Sequence, residues 1–298
     1  MAGIFDGKFT SPLSALLEGI DLQALSRIDA ARLATRAIPN IGSIELVQSE
    51  VFDKIYDALY VKEFPKRAER ERSDLIVTRL AAQYAGERHG LAPYRIVGIR
   101  DANGEAIGAA QFSVLPLRGG KFAVPYLQYI YVRSENRRQD MSEVLHTMTL
   151  AVAAADARSM GQRSVPFTLF ETEPPGHGDD EESRAFSVTR AQVHTKGGAV
   201  AVVLLRDGEE ISPHVQPGLE VGDPPLSLVW AVRQSPAPGK EWRIEDLGGD
   251  LVAAYYQSLR DEGFPEENIR LAERVVEERC RGSEWRLMPL DKATFHHA

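Results

Sequence analysis

Two adjacent arginines, Arg137 and Arg138, stand between a strand-like run that ends at Val132 and a helix-like pattern. The first N–H groups of a helix have no partner within the helix, so that end of a helix favours an anion. Arginine adds donors that match phosphate oxygens. The junction therefore predicts an anion site suited to a pyrophosphate, although arginines at a helix start are also common on solvated surfaces.

Asp140 lies beside the two arginines and supports a competing interpretation. A like-charge contact with a pyrophosphate would cost about 4 kcal/mol at ~4 Å in an effective dielectric of about 20. Asp140 and Glu143 also match a capping box, in which the aspartate itself satisfies the first N–H groups of the helix. Two alternatives are open: the arginines serve phosphate while Asp140 turns outward, or Asp140 caps the helix and the anion site is lost.

A second candidate group follows the next apolar run, SVPFTLF at 164–170. Glu171 comes directly after this run, and Glu173 lies two residues further on. Partial burial raises the pKa of a carboxylate, so Glu171 is a candidate general base. The alternative is that both glutamates are loop carboxylates without a catalytic role.

Two further polar features are explained by their positions in helices rather than by metal binding or catalysis. The segment HGDDEE at 177–182 places a histidine beside four carboxylates, but the helix dipole explains acidic residues at a helix start, and we predict no metal. Cys280 is the one cysteine of the sequence, and its segment VVEERCRG indicates a helix residue rather than a nucleophile.

Charge and composition restrict the partners. The chain has 298 residues and a net charge of −8, which argues against nucleic acid or an anionic membrane as a partner. Its most apolar stretch, GGAVAVVLL at 197–205, is far shorter than the ~20 residues of a membrane helix. The N-terminus lacks the pattern of a signal peptide, so the expected location is cytoplasmic.

The spacing of apolar residues and turn residues predicts the elements that position these groups. Asn103 and Gly104 form a tight turn typical of a hairpin. The predicted strands are 44–47, 94–101, 106–115, 126–132, 164–170, 198–205 and 226–233. Residues 12–38 read as one broken or two short helices, and further helices are predicted from near 50, through 145–155 and near 180–194. Hairpins followed by a strand–helix–strand crossover predict a mixed sheet with helices on both faces.

The predicted organisation has three segments. Residues 1–43 read as a helical extension, 44–234 as the main α/β domain, and 235–298 as a helical appendage after the Pro/Gly linker SPAPGK. Two amphipathic helices are predicted in the appendage. They could cover the domain, pair a homodimer, or cap a substrate cleft.

This order of elements resembles that of the GNAT-type acyl-CoA N-acyltransferases over roughly residues 44–233. In that family the loop after the fourth strand reads Arg/Gln-x-x-Gly-x-Gly/Ala, and its N–H groups hold the acyl-CoA pyrophosphate. On this sequence the pattern falls on Arg137, Arg138, Gln139, Asp140, Met141 and Ser142. Asp140 stands where the family has its first glycine, and Ser142, which is also small, stands where the family has glycine or alanine.

The resemblance implies an α/β fold of the GNAT-like acyltransferase type with helical N- and C-terminal additions. It also implies an enzyme that transfers an acyl group, most simply acetyl from acetyl-CoA, to a small-molecule or peptide amine. Ile130, Tyr131 and Val132 would contact the pantetheine arm of CoA through their main chain, and Glu171 would act as the base.

The resemblance leaves other functions open. The tyrosine acid common in the family is absent from the helix after the fifth strand, where Phe186 and Ser187 stand. That absence, together with Asp140, favours a non-catalytic GNAT-like binding module as the alternative function. A third option keeps the fold with another donor or acceptor, as in acyl-homoserine-lactone synthases.

Overall fold

The structure, a computed structural model, describes residues 5–67, 70–219, 221–226 and 228–293. The chain forms two compact units. The N-terminal unit consists of residues 1–165 and 235–239, and the C-terminal unit of residues 166–234 and 240–298. The three-segment division drawn from the sequence stays a prediction, and each unit is described separately below.

Four strands build the sheet of the N-terminal unit, and each is antiparallel to the next along the chain. They are β1 (Ser43–Leu46), β2 (Tyr94–Arg100), β3 (Ala106–Pro116) and β4 (Ala123–Val132). The predicted hairpin joins β2 to β3. Asp101 accepts hydrogen bonds from the N–H groups of Asn103 and Glu105 at 2.9 and 3.0 Å, which fixes the turn.

Helices flank this sheet. They are α1 (Ser11–Leu16), α2 (Leu22–Leu25), α3 (Ala30–Arg36), α4 (Ser49–Val51), α5 (Asp57–Glu63), α6 (Ser73–Tyr84) and α7 (Met141–Ser159), with a π-helical turn (Phe52–Tyr56) between α4 and α5. The N-terminal segment thus contains three short helices where the sequence indicated one broken or two short ones. α7 packs along β2, β3 and β4, and most of its side chains are buried.

Aromatic side chains pack α5 against β4. Tyr129 and Tyr131 are two residues apart on the strand, so they project to the same face. Both rings contact Tyr60 and Phe64, with centroids 5.1 to 6.0 Å apart. The register between β3 and β4 shifts at Gln128, because Gln111 lies opposite Tyr129 and Phe112 opposite Leu127, and such a bulge bends a strand.

The described part of the C-terminal unit has five strands and three α-helices. β5 (Phe167–Thr172) pairs with β8 (Val229–Gln234), and β8 pairs with β6 (Ala199–Arg206). β6 also pairs with β7 (Glu209–Ile211) and with β9 (Glu284–Pro289), and every pairing is antiparallel. The helices are α8 (Glu181–Lys196), α9 (Ile244–Asp261) and α10 (Glu266–Cys280).

The prediction of a mixed α/β fold with helical additions at both ends is confirmed. The two amphipathic helices of the appendage are α9 and α10, and Cys280 is the last residue of α10. β9 was not predicted.

Contact between α9 and β9 depends on one glycine. A Cβ atom on Gly248 would lie 2.3 Å from the indole of Trp285, whereas one on Gly249 would meet nothing within 4 Å. Both residues lie inside α9, so replacing either glycine by alanine changes the helix propensity by the same amount.

We expect Gly248→Ala to lower the free energy of unfolding by about 1–3 kcal/mol, because the new methyl group overpacks the indole. Gly249→Ala is the matched control and should raise it by up to about 1 kcal/mol, because alanine favours the helix. Urea denaturation of the two variants measures the difference. Equal effects would contradict the close contact.

Candidate functional site

The turn between β4 and α7 is held from both sides by side chains. Arg133 donates to Asn136 at 2.8 Å within the turn. Its guanidinium also reaches Asp101 at 3.1 Å and Glu105 at 3.2 Å in the β2–β3 hairpin. These contacts fix where β4 ends and where the loop toward α7 begins.

The loop has a left-handed backbone at two residues that are not glycine. Arg138 has φ 62° and Asp140 has φ 61°. L-residues pay about 1–2 kcal/mol for this conformation, and aspartate tolerates it better than most. Asp140 stands where the resembling family has its first glycine, so the loop adopts a glycine-like conformation without the glycine.

The Asp140 side chain is turned away from the helix start. It makes no capping hydrogen bond, and its carboxylate accepts from Arg32 at 2.8 Å (Nε) and 2.7 Å (Nη2). Arg36 Nε lies 3.5 Å away, and Arg36 also donates to the carbonyl of Arg138. Hydrogen bonding to Arg32 holds the pKa of Asp140 below its usual value.

The capping-box interpretation is therefore wrong. Glu143, its second member, accepts instead from the N–H of Arg27 at 2.9 Å. Two segments of the N-terminal helical region thus take the carboxylates that a capping box would have used. Of the two alternatives drawn from the sequence, the structure shows the one in which Asp140 turns outward.

The start of α7 keeps its donors available. Within the described part of the chain, the backbone N–H groups of residues 138–142 donate to no other group. The first N–H groups that do find a partner are those of Glu143 and Val144, which both donate to the Asp140 carbonyl. A run of unsatisfied donors at a helix start favours an anion.

The two arginines of the loop have different surroundings. Arg137 donates to the Val132 carbonyl at 3.2 Å and is paired with Glu63 on α5. Arg138 is exposed, and its guanidinium contacts no carboxylate among the residues that the structure describes. Gln139 is hydrogen-bonded to Asn136 within the turn. Arg137 therefore braces the loop, while Arg138 remains available to a ligand.

The three β4 residues expected to contact pantetheine differ in exposure. Ile130 and Val132 are half-buried, and Tyr131 is buried. The Tyr131 hydroxyl accepts from Gln111 Nε2 at 3.3 Å, and burial raises the pKa of this tyrosine. The Tyr131 side chain is thus part of the core, and only its main chain would be available to a ligand.

In the C-terminal unit, Glu171 lies in β5 opposite Trp230 of β8. Its side chain is 11% exposed, and its Oε1 lies 2.7 Å from Nε2 of the fully buried His214. The His214 ring stacks on Trp230 at 4.8 Å and meets Tyr255 edge to face at 4.9 Å. Sequence analysis missed His214, since it follows a short strand in a proline-rich loop and has no local motif.

The residues after Glu171 have structural partners. Glu173 pairs with Arg190 at 3.1 Å. Asp180 caps α8 by accepting from the N–H of Ser183 at 2.7 Å. Ser187 is buried and bound to the backbone, while Phe186 is exposed beneath the Arg190 guanidinium.

Neither a metal site nor a membrane span is found within the described ranges. No group of three or more His, Cys, Asp or Glu residues there could hold a metal ion. The helices within the same ranges are all too short or too polar to cross a bilayer.

Comparison with known proteins gives matches among solved structures. No protein-family model matches the sequence, and no curated protein matches it. The matching structures include a glucosamine N-acetyltransferase region of a fungal multi-domain beta-N-acetylglucosaminidase, with 16% identity, TM-score 0.34, and coverage of 54% of this chain and 18% of that one. This chain therefore spans about a fifth of the fungal protein.

Two other matches extend over almost the whole of shorter proteins. The ribosomal-protein-S18-alanine N-acetyltransferase from Escherichia coli is 13% identical, with TM-score 0.36 and coverage of 67% and 98% of the two chains. An acetyltransferase of the GNAT family from Staphylococcus aureus Mu50 is 10% identical, with TM-score 0.34 and coverage of 64% and 99%. These superpositions are loose, with TM-scores below 0.5, so the resemblance stated from the sequence stays a prediction and nothing follows about substrates.

Variants of Asp140 separate the ion pair from the backbone strain. Asp140→Gly loses the pair with Arg32, worth about 0–1 kcal/mol at a surface, but relieves a similar strain. We expect its free energy of unfolding to stay within about 0.5 kcal/mol of the native chain. Asp140→Ala loses the pair and keeps the strain, so it should be less stable than the glycine variant by about 1 kcal/mol.

Urea denaturation gives both values. Asp207 also has a positive φ, 54°, and no ion pair among the described residues, so the glycine and alanine variants there measure the strain alone. Equal losses of about 1 kcal/mol in both Asp140 variants would restore the capping interpretation.

His194 on α8 gives a pH-dependent prediction. Its ring contacts Phe170 at 4.9 Å, and burial, with the charges of Arg190 and Arg233, lowers its pKa to about 4. The unfolded chain binds this proton near pH 6.5, so the folded state loses stability as pH falls from about 6.5 toward 4. The loss should reach at most about 3 kcal/mol.

Denaturation of the native protein and of His194→Gln at pH 7 and pH 4.5 measures this contribution. The native chain should lose more stability than the variant over this interval. The same pH dependence in both proteins would show that His194 is not a buried neutral group.

Proposed function

We propose that this protein is an acyl-CoA-dependent N-acyltransferase that transfers an acetyl group from acetyl-CoA to an amine. The observation that carries the proposal is the start of α7, where the N–H groups of residues 138–142 donate to no group that the structure describes, while the carboxylate of Asp140 is held by Arg32. The carboxylate of Asp140, which would repel a pyrophosphate, is thus turned aside and paired with an arginine.

The charges around the loop support the same ligand. Arg32 and Arg36 face the single carboxylate of Asp140, and the exposed Arg138 adds a third guanidinium. Asp29 and Glu143 also act on Arg32, so the three guanidinium groups stand among carboxylates rather than alone. A pyrophosphate gains from N–H donors and guanidinium groups together, since charge-assisted hydrogen bonds are the stronger kind.

The proposal assigns roles to the remaining candidates. Residues 137–142 would hold the pyrophosphate, and the main chain of Ile130, Tyr131 and Val132 would contact the pantetheine arm. Arg137 would act indirectly, because its contacts with Val132 and Glu63 fix the loop to the end of β4. The acceptor would be a small-molecule or peptide amine.

Glu171 would be the general base. The thioester, when bound, supplies the electrophilic carbonyl carbon. Glu171 takes a proton from the ammonium group of the acceptor, and the freed nitrogen lone pair forms the new C–N bond. The C–S bond breaks, and the sulfur leaves as a thiolate with the electron pair of that bond. The second proton of the acceptor nitrogen passes to the thiolate, which gives the neutral amide and the free CoA thiol.

Calorimetric titration with CoA and with acetyl-CoA tests the donor. The native protein should bind both at micromolar concentration. Arg138→Gln should weaken binding by about 1.5–3 kcal/mol, roughly 10- to 150-fold, because it removes a charge-assisted contact.

Arg118→Gln is the matched control, because Arg118 is an exposed arginine in a different turn of the same unit. It should leave the affinity unchanged. No binding of either compound at millimolar concentration would reject the proposal and leave the binding-module alternative.

A further inference from the structure

Arg36 on α3 contacts the loop before α7 at two points. Its Nη2 donates to the carbonyl of Arg138, and its Nε lies 3.5 Å from Oδ2 of Asp140. Arg32, one turn earlier on the same helix, binds both oxygens of that carboxylate. The two arginines therefore act on different parts of the loop: Arg32 binds a side chain, whereas Arg36 also binds the backbone.

The contact with the carbonyl fixes the orientation of one peptide group. In a trans peptide the C=O and the N–H point in opposite directions, and the described part of the chain has no cis peptide bond. Because Arg36 holds the oxygen of the peptide between Arg138 and Gln139, the N–H of Gln139 is directed away from α3. Among the described residues, this N–H donates to no group.

The next peptide but one is fixed by the helix itself. The carbonyl of Asp140 accepts from two N–H groups in the first turn of α7, at 3.1 and 3.2 Å, so it points into the helix. The N–H of Met141, in the same peptide group, therefore points out of the helix start. The peptide between Arg138 and Gln139 precedes the helix, so a contact from outside the helix must fix it.

The peptide between Arg138 and Gln139 could rotate if it had no such contact. Turns of types I and II differ by about half a rotation of their central peptide, so loop peptides adopt both orientations. A rotated peptide would present the carbonyl oxygen of Arg138 where the N–H of Gln139 now points. Backbone N–H groups attract an anion, and an oxygen in that place would repel it.

The helix that carries Arg36 is anchored. Leu33 and Ala37 are fully buried, and Asn40 Nδ2 donates to the carbonyl of Arg36 at 2.8 Å. The guanidinium therefore reaches the loop from a fixed point. A basic residue in the last turn of a helix also interacts favourably with the helix dipole, and that contribution to stability needs a control.

We propose that Arg36 is a positioning residue for the acyl-CoA loop. It holds the peptide between Arg138 and Gln139 in the orientation that leaves the N–H of Gln139 available to a pyrophosphate. Asp140 contributes, because its carboxylate lies beside the Arg36 guanidinium. The proposal rests on the proposed function for the identity of the ligand, while the orientation of the peptide is a property of the unliganded protein.

Three variants separate the backbone contact from charge and from stability. Arg36→Met removes the guanidinium and keeps a long unbranched side chain that favours a helix. Arg36→Lys keeps the charge and can still donate to the Arg138 carbonyl. Arg158→Met is the matched control, because Arg158 Nη2 donates to the carbonyl of Glu18 at 2.9 Å, at the other end of α7.

The first experiment needs no ligand. The amide ¹H–¹⁵N signal of Gln139 should shift in Arg36→Met, because the carbonyl of the same peptide loses its donor. The shift should be smaller in Arg36→Lys and absent in Arg158→Met. A Gln139 signal at the same position in Arg36→Met and in the native protein would overturn the proposal.

The second experiment is calorimetric titration with CoA at about 0.1 M and about 1 M salt. Arg36→Met should weaken binding about tenfold, the size of effect expected of a hydrogen bond with a charged partner. Arg36→Lys should recover most of this loss. The tenfold difference should persist at about 1 M salt, where a Debye length of about 3 Å leaves little long-range attraction.

Equal affinities of Arg36→Met and the native protein, or a difference that disappears at high salt, would overturn the positioning role. Urea denaturation gives the control for folding. Arg36→Met and Arg158→Met should lose similar stability, because each removes one contact between a guanidinium and a backbone carbonyl, but Arg158→Met should bind CoA like the native protein. A loss of CoA affinity in both variants would indicate an effect of stability and would also overturn the proposal.

The two proposals fail in different ways. A native protein that binds no CoA would refute the proposed function, and with it the role of Arg36 in binding. A native protein that binds CoA no more tightly than Arg36→Met would refute the positioning role alone and leave the proposed function intact.

Discussion

The left-handed backbone at Asp140 is the constraint on which the start of α7 depends. A glycine would supply this conformation without cost, whereas an aspartate adds both strain and a negative charge. The structure offsets both terms with one contact, the bidentate hydrogen bond from Arg32. Because Arg32 lies on α3, the N-terminal helices hold the loop in its conformation.

The same contact changes the electrostatics of the helix start. An uncompensated carboxylate would have cancelled the positive end of the α7 dipole. Held by Arg32 and near Arg36, it instead brings two guanidinium groups to the loop, and the exposed Arg138 adds to them. In the sequence, an aspartate at this position argues against an anion site. In the folded chain Asp140 contributes to such a site, because it binds arginines more than a hundred positions away along the chain.

Local sequence patterns predicted the helices and strands, but they could not predict which distant residues contact one another. The hairpin turn at Asn103–Gly104 and the amphipathic helices α9 and α10 follow from nearest neighbours and periodicity. The capping box was wrong because a local motif cannot reveal a competing donor on α3. β9 was missed because its exposure does not alternate along the strand. His214 was missed because only the fold brings it to Glu171.

The choice of histidine for Glu171 has an energetic reason. A buried carboxylate needs a partner, since burial of an unpaired charge is costly. An arginine would satisfy that need but would depress the basicity of the carboxylate, because opposite charge favours the ionised form. An imidazole carries no permanent charge, so it favours the ionised form less strongly than an arginine does. Glu171 lies 2.7 Å from the imidazole of His214, whereas Glu71 and Asp156 are paired with arginines, which hold a carboxylate as an anion.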